Sequence, residues 1–207
     1  MSCTVSKTCR FHPSEAEVVE LAKHLKAVVF DFDGVFTENT EWLGIPDGTI
    51  LKARSHYDGQ GISILRDAGL RIAIATSASK EAAYPAIWLC ERWNKKLPSV
   101  QPSCPNPWLP VTLFTGAGHI DKARVVQSWL QELMIKPEEC AVMGDDLTDL
   151  PMMELAGLRA APVTAESVVR DRCHFVSQRP GGRGAIRDLA NFILKSREVD
   201  FTTLRLC

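Results

Sequence analysis

No run of apolar residues approaches the roughly 20 that span a bilayer, so no transmembrane helix is expected. No basic block stands out either. The 24 lysines and arginines set against 25 acidic residues leave a net charge of −1, which argues against nucleic acid or an anionic membrane surface as a partner. There is no C-x-x-C pair. The seven cysteines (Cys3, Cys9, Cys90, Cys104, Cys140, Cys173 and Cys207) are odd in number and scattered. That pattern points to free thiols in a reducing compartment rather than a disulfide framework or a zinc site, so a cytoplasmic location is expected. The histidines show no ligand spacing, and residues 1–13 lack the apolar core of a signal peptide. Internal repeats and any split into two domains are also missing. What remains is a chain of 207 residues, 45% hydrophobic, enough to close one proper core.

The most informative stretch is Ala27-Val-Val-Phe-Asp-Phe-Asp-Gly-Val-Phe-Thr37. Its apolar, β-branched start reads as a strand buried on both faces. Side chains two apart on a strand point the same way, so Asp31 and Asp33 are expected to converge where the strand ends. Gly34 permits a sharp turn there and leaves room for a ligand. The carboxyl end of a strand is where α/β sheets bind ligands. Two carboxylates in such a place need a metal, a cation or a phosphate partner.

Along the chain, residues 1–12 read as a loose leader and Pro13-Ser14 opens an amphipathic helix carrying Val18, Leu21, Ala22 and Leu25. Gly44-Ile-Pro-Asp-Gly48 lies between two short apolar segments, which predicts a β-hairpin over 38–56. Asp58-Gly-Gln-Gly reads as a loop entering a helix that Gly69 ends, and Leu70 to Ala75 as a second buried strand stopping at Thr76-Ser77. A helical segment from Lys80 to Trp93 runs into a proline-rich insert over 94–110. Val111 to Phe114, Cys140 to Met143, Leu158 to Ala161 and Phe175 read as strands. They are separated by helices near Ile120, Leu150 and Glu166, and a last helix runs from Ala185 to Leu194. Strand–helix alternation implies a parallel, doubly wound α/β sheet forming one domain over 13–196, with a tail over 197–207.

Four separated signals then fall after strands or at helix starts: Asp31-x-Asp33, Thr76-Ser77, Lys122, and Gly144-Asp145-Asp146-x-x-Asp149. Alone, each has a bland reading: a turn after a strand, a strand end, a surface lysine, an acidic helix N-terminus. Together they are the parts of a phosphoryl-transfer site: a carboxylate nucleophile, a second carboxylate, a hydroxyl, an ammonium and an acidic loop. Oxygen ligands of high negative charge suit Mg²⁺ rather than zinc.

In that order these motifs resemble the haloacid-dehalogenase-like phosphatases. The hairpin after the first motif, Asp58-Gly-x-Gly-Ile, Asp121-Lys122 and Ser177-Gln-Arg-Pro-Gly-Gly-Arg-Gly-Ala-Ile-Arg187 are similar to the capless 3-deoxy-octulosonate 8-phosphate phosphatases. That subgroup includes phosphatases of nine-carbon sugar acids and the C-terminal module of animal CMP-sialate synthetases. The resemblance implies that Asp31 attacks phosphorus and Asp33 acts as acid and base. It places Mg²⁺ on Asp31, the Asp33 carbonyl and Asp145, with Asp146 and Asp149 orienting the loop and Lys122. Thr76, the Ser77 amide and Lys122 would hold the phosphate of a small phosphomonoester. Four chains would pack through their hairpins into a homotetramer.

The chain also departs from the subgroup. Ser77-Ala78 stands where Gly-Arg is common, so the arginine that would meet a substrate carboxylate has no counterpart there. Ser55 and Tyr57 replace an asparagine and an arginine before Asp58. Asp58 and Arg183 are the candidate substrate contacts, and the proline-rich insert with Trp88, Trp93 and Trp108 is a candidate lid or subunit contact. Two rival readings are a catalytically silent assembly module and a phosphotransferase passing the group from Asp31 to a second alcohol.

Overall fold

The computed structural model describes residues 13–45, 47–95 and 108–201. The strand built from Ala27–Phe30 (β1) is buried at all four residues and sits in the middle of a parallel sheet. The other strands are Arg71–Ala75 (β4), Thr112–Phe114 (β5), Cys140–Met143 (β6), Leu158–Ala161 (β7) and Phe175–Val176 (β8), with the order β5-β4-β1-β6-β7-β8. β1 pairs with β4 in the register Val28↔Ile72 and with β6 in the register Val28↔Ala141. Its two faces serve different layers, as a period of two requires. Val28 and Phe30 join one apolar cluster and Ala27 and Val29 the other.

The first layer holds helices Glu15–Lys23 (α1), His56–Asp67 (α2), Tyr84–Lys95 (α3) and Ala185–Ser196 (α7). The second holds Ile120–Glu132 (α4), Leu150–Leu155 (α5) and Ser167–Arg170 (α6). α1 begins at a reciprocal cap in which Ser14 and Glu17 satisfy each other's backbone amides. On α4, Val126, Trp129 and Leu130 are buried and Leu133 packs beside them, the stripe expected of its periodicity.

The hairpin is present but short. Trp42–Leu43 (β2) pairs with Ile50–Leu51 (β3), antiparallel, in the register Trp42↔Leu51. Its return leg is fixed lower down by a bridge between Thr37 and Arg54.

One expectation needs correction. Asp58 does not lie in a loop: α2 already starts at His56, capped by Ser55, whose hydroxyl accepts from the Tyr57 amide at 3.1 Å. Gly61 is inside the helix because α7 crosses it closely, and a Cβ there would come within 3.1 Å of the Arg187 Cα. The first residues of the tail pack on the core. Arg197 donates to the carbonyls of Ala22 and Leu25, and Val199 and Phe201 pack against the first cluster.

Residues 1–12, 46, 96–107 and 202–207, and with them the whole leader, most of the insert and the end of the tail, lie outside the described residues. The insert's described ends are anchored. Trp108 is buried, donates to Asp67 and carries the Arg66 guanidinium 4.9 Å from its ring centroid. The Asn94 side chain exchanges two hydrogen bonds with the Val111 backbone. Among the described residues no helix is long and apolar enough to cross a membrane, and Cys90, Cys140 and Cys173 are free and buried.

Candidate active site

From β1 the chain passes to β4 and β5 on one side, then crosses back to β6, β7 and β8 on the other. The crossover leaves a crevice at the carboxyl ends of the central strands, where open α/β sheets accept ligands. Asp31 and Asp33 follow β1, Thr76 and Ser77 follow β4, Asp145 and Asp146 follow β6, and Lys122 is in the first turn of α4. Their side chains converge on a cleft of about 140 Å³.

Lys122 is the hinge of the arrangement. It is 1% exposed, and its Nζ donates to Asp31 Oδ1 at 2.7 Å and to Asp149 Oδ1 at 2.6 Å. Asp149, fully buried beneath the cleft, uses its other oxygen to accept from the amides of Asp145 (2.9 Å) and Asp146 (3.2 Å). Both its oxygens are thus engaged in holding the lysine and the acidic loop. Asp146 itself accepts from the Leu147 amide at 2.6 Å and caps the next turn. Thr76 is buried, and its Oγ1 accepts from the Ala78 amide at 3.1 Å; Ser77 stands exposed at the rim.

One oxygen from each of Asp31, Asp145 and Asp149 can be enclosed within 4.8 Å of the others. Three buried carboxylates face one ammonium, so the site carries an excess of negative charge. Burial, followed by the charge of Asp149, pushes the Asp31 carboxyl well above the usual carboxylate range, against the pull of Lys122. Burial together with Asp149 and Asp146 pushes Asp145 up to about 7. Burial works to lower the lysine, but Asp31 and Asp149 outweigh it and Lys122 ends above its ordinary value. An all-oxygen set with surplus negative charge fits a hard divalent cation.

A sign follows for stability. The folded-state pKa of Asp145 lies above its unfolded value, so its stabilising contribution is complete below the unfolded pKa and is lost as pH rises through about 7. The metal-free protein is therefore expected to melt at lower temperature at pH 8 than at pH 5.5, and the gain on adding Mg²⁺ should grow over that window. Thermal melts with chelator and with Mg²⁺ across pH check this; a Mg²⁺ shift that does not depend on pH would contradict it.

Two glycines are forced by close approach. Gly34 has φ +84°, and a Cβ there would run into the Asp145 carboxylate. Gly181 packs its Cα against the Gly34 carbonyl, and the Gly182 amide donates to Val35 O at 2.8 Å. The Gly181–Gly184 segment thus sits on the turn after Asp33. Arg183 projects from it, exposed, and pairs with Glu38 at 2.9 Å. Glu38 and Gly181 line a neighbouring cleft of about 300 Å³ that also includes Asn39 and Asp145.

Asp58 is not brought to the cleft. It is 1% exposed, and its carboxylate accepts from the amides of Gly184 (2.9 Å), Ile186 (3.0 Å) and Arg187 (3.3 Å), capping α7 from the neighbouring helix. Its assignment as a substrate contact is corrected to that of a cap.

Three polar groups near the acids escaped the sequence reading. Asn39 Nδ2 donates to Asp145 Oδ2 at 3.4 Å, and Thr148 lines the cleft. Lys52, from the hairpin, pairs with Asp33 at 2.6 Å and Glu41 at 2.7 Å. A lysine after a short apolar strand carries no local signal of such a contact.

A parallel sheet with acids at its switch point and a buried ammonium between two of them is the frame of a phosphoryl-transfer enzyme. Residues 108–184 match the haloacid dehalogenase-like hydrolase family. The 3-deoxy-D-manno-octulosonate 8-phosphate phosphatase KdsC of Escherichia coli (strain K12) is 30% identical over 188 residues, covering 90% of this chain and 88% of the relative. A probable YrbI family phosphatase from Pseudomonas syringae pv. phaseolica is 32% identical with a TM-score of 0.72, covering 88% of this chain and 92% of that one. The 3-deoxy-D-manno-octulosonate 8-phosphate phosphatase of Moraxella catarrhalis, solved with magnesium ion, phosphate ion and a KDO molecule, superposes with a TM-score of 0.75 at 24% identity. That match covers 89% of this chain and 94% of the other. The chain belongs to the KdsC/YrbI-type 3-deoxy-octulosonate 8-phosphate phosphatase family of capless haloacid dehalogenase-like hydrolases, and it is a phosphoric monoester hydrolase.

Proposed function

We propose that the chain hydrolyses the phosphomonoester of a small sugar acid through an aspartyl-phosphate on Asp31. The substrate would be of the 3-deoxy-octulosonate 8-phosphate or nine-carbon 9-phosphate kind. The observation that carries the reading is the Lys122 ammonium clamped between Asp31 and Asp149, with Asp145 beside them. Lys122 holds Asp31 through Oδ1 and presents positive charge where equatorial phosphoryl oxygens would lie. Asp31 attacks phosphorus as the bond to the sugar oxygen breaks, and Asp33 gives that oxygen a proton. Asp33, now a carboxylate, takes a proton from the water that attacks phosphorus and releases Asp31. Thr76, the Ser77 amide and Lys122 hold the phosphate. Mg²⁺ would be held by Asp31, the Asp33 backbone carbonyl and Asp145, with Asp146 and Asp149 orienting that loop. When bound it supplies neutralisation of the phosphoryl charge.

The sugar-acid class is supported by the family relatives, among them the E. coli enzyme. With Ser77-Ala78 in place of Gly-Arg, the substrate carboxylate needs another cation, and Arg183, paired with the cleft residue Glu38, is the candidate. Phosphate release from a panel of phosphorylated eight- and nine-carbon sugar acids, with Mg²⁺, tests the reading. Turnover on at least one of them is expected, and a folded protein inert on all would overturn it in favour of a silent assembly module.

The same reading includes a cytosolic homotetramer packed through the hairpins. Its support is the apolar surface the hairpin leaves uncovered: Trp42 is 64% exposed, Leu43 66% and Leu51 57%. Trp42→Glu combined with Leu51→Glu is expected to shift the light-scattering mass from tetramer to monomer. An unchanged mass would reject this interface.

A further inference from the structure

The geometry points to Lys52 as a positioning residue for Asp33, one that fixes which carboxyl oxygen of the acid faces the leaving group. The inference rests on the acid–base role proposed for Asp33. Lys52 comes from the return leg of the hairpin, directly after β3, yet its side chain is only 3% exposed. Its Nζ donates to Asp33 Oδ1 at 2.6 Å and lies 2.7 Å from Glu41 Oε1 on the outgoing leg. The same Asp33 oxygen accepts from Thr37 Oγ1 at 3.1 Å, and Thr37 bridges through its backbone to Arg54, two residues beyond Lys52.

Lys52 of the return leg and Thr37 at the base of the hairpin therefore both donate to one oxygen. Among the described residues Asp33 Oδ2 accepts no hydrogen bond, which leaves it for the proton passed to the sugar oxygen and later recovered from water. An ordinary surface pair has no such consequence. Exposed lysines exchange partners at little cost, whereas a charge-assisted bond from a lysine whose side chain is largely covered and held by a second carboxylate fixes a direction. Lys52 touches neither the phosphate nor the leaving group in this scheme; it acts through Asp33.

The test uses leaving-group dependence, which a merely structural role would not produce. Departure of an alkyl alcohol needs a proton from Asp33; departure of p-nitrophenolate needs little help. In kcat/KM, which reports the first chemical step, Lys52→Met is expected to lose about 10- to 100-fold on an alkyl phosphate, part of what general acid catalysis supplies. On p-nitrophenyl phosphate it should stay within about threefold of the parent, and Lys52→Arg should recover part of the alkyl loss. In an Asp33→Asn background, Lys52→Met should cost nothing further, because the group it positions has gone.

Equal losses on both substrates, or fully additive losses in the double variant, would overturn the proposal. Removing Lys52 leaves Asp33 and Glu41 facing each other, so if Lys52→Met does not fold, Lys52→Met with Glu41→Gln removes that repulsion and carries the same comparison. Asp33→Asn alone separates the two layers. If it shows no selective loss on the alkyl ester, the acid–base reading itself fails. If it does and Lys52→Met does not, only the role of Lys52 falls.

Discussion

Replacing Asp31 by asparagine is expected to lower kcat by at least about 10⁴-fold, the scale on which removing a nucleophile acts. The amide keeps the shape of the side chain and can still accept from Lys122 Nζ, which sits 2.7 Å from Asp31 Oδ1. It cannot attack phosphorus. Asp149 still pairs with the lysine at 2.6 Å, so the fold should survive with a melting temperature within a few degrees of the parent. The substitution also removes a carboxylate that burial and the charge of Asp149 make costly to ionise. Steady-state phosphate release with a thermal melt on the same sample separates the two effects. Retained turnover would remove Asp31 from the chemistry.

Lys122→Met has the second large effect, and it strikes stability as well as rate. The lysine is the shared counter-ion of two buried carboxylates, and its removal leaves Asp31 and Asp149 uncompensated. Breaking one side of a buried pair costs about 3–5 kcal/mol. Urea unfolding should show a loss of that size at pH 8. The loss should shrink as pH falls, because protonation removes the charges left unpaired. Mg²⁺ should restore part of the stability without restoring turnover, since the metal can offset the charge while the cation that holds phosphate is absent. An unchanged midpoint would mean that the ammonium is not what holds the two acids together.

What the sequence made legible was what local rules govern. A four-residue apolar strand followed by acids two apart must aim both at one place, and Asp31 and Asp33 both face the cleft. Lys122 and Asp149 could be grouped with them because each sits at a helix start after a strand, the edge where a parallel sheet binds. Asp58 was misread because its role is tertiary. It serves the N-terminus of α7, a helix more than 120 residues later in the chain, and nothing near Asp58 announces that contact. Lys52 was missed for the same reason, since a two-residue strand gives no hint that its next side chain turns inward. Nothing local foretells that the missing Cβ at Gly181 lets that segment lie against Gly34.

Covalent capture of the phosphoryl group tests the central claim most directly. Asp33→Asn, mixed with a phosphorylated substrate and Mg²⁺ and quenched in acid, should carry a hydroxylamine-labile phosphate, and peptide mapping should place it on Asp31. A label on any other residue would contradict the account. So would full turnover with no acyl-phosphate detectable at any time.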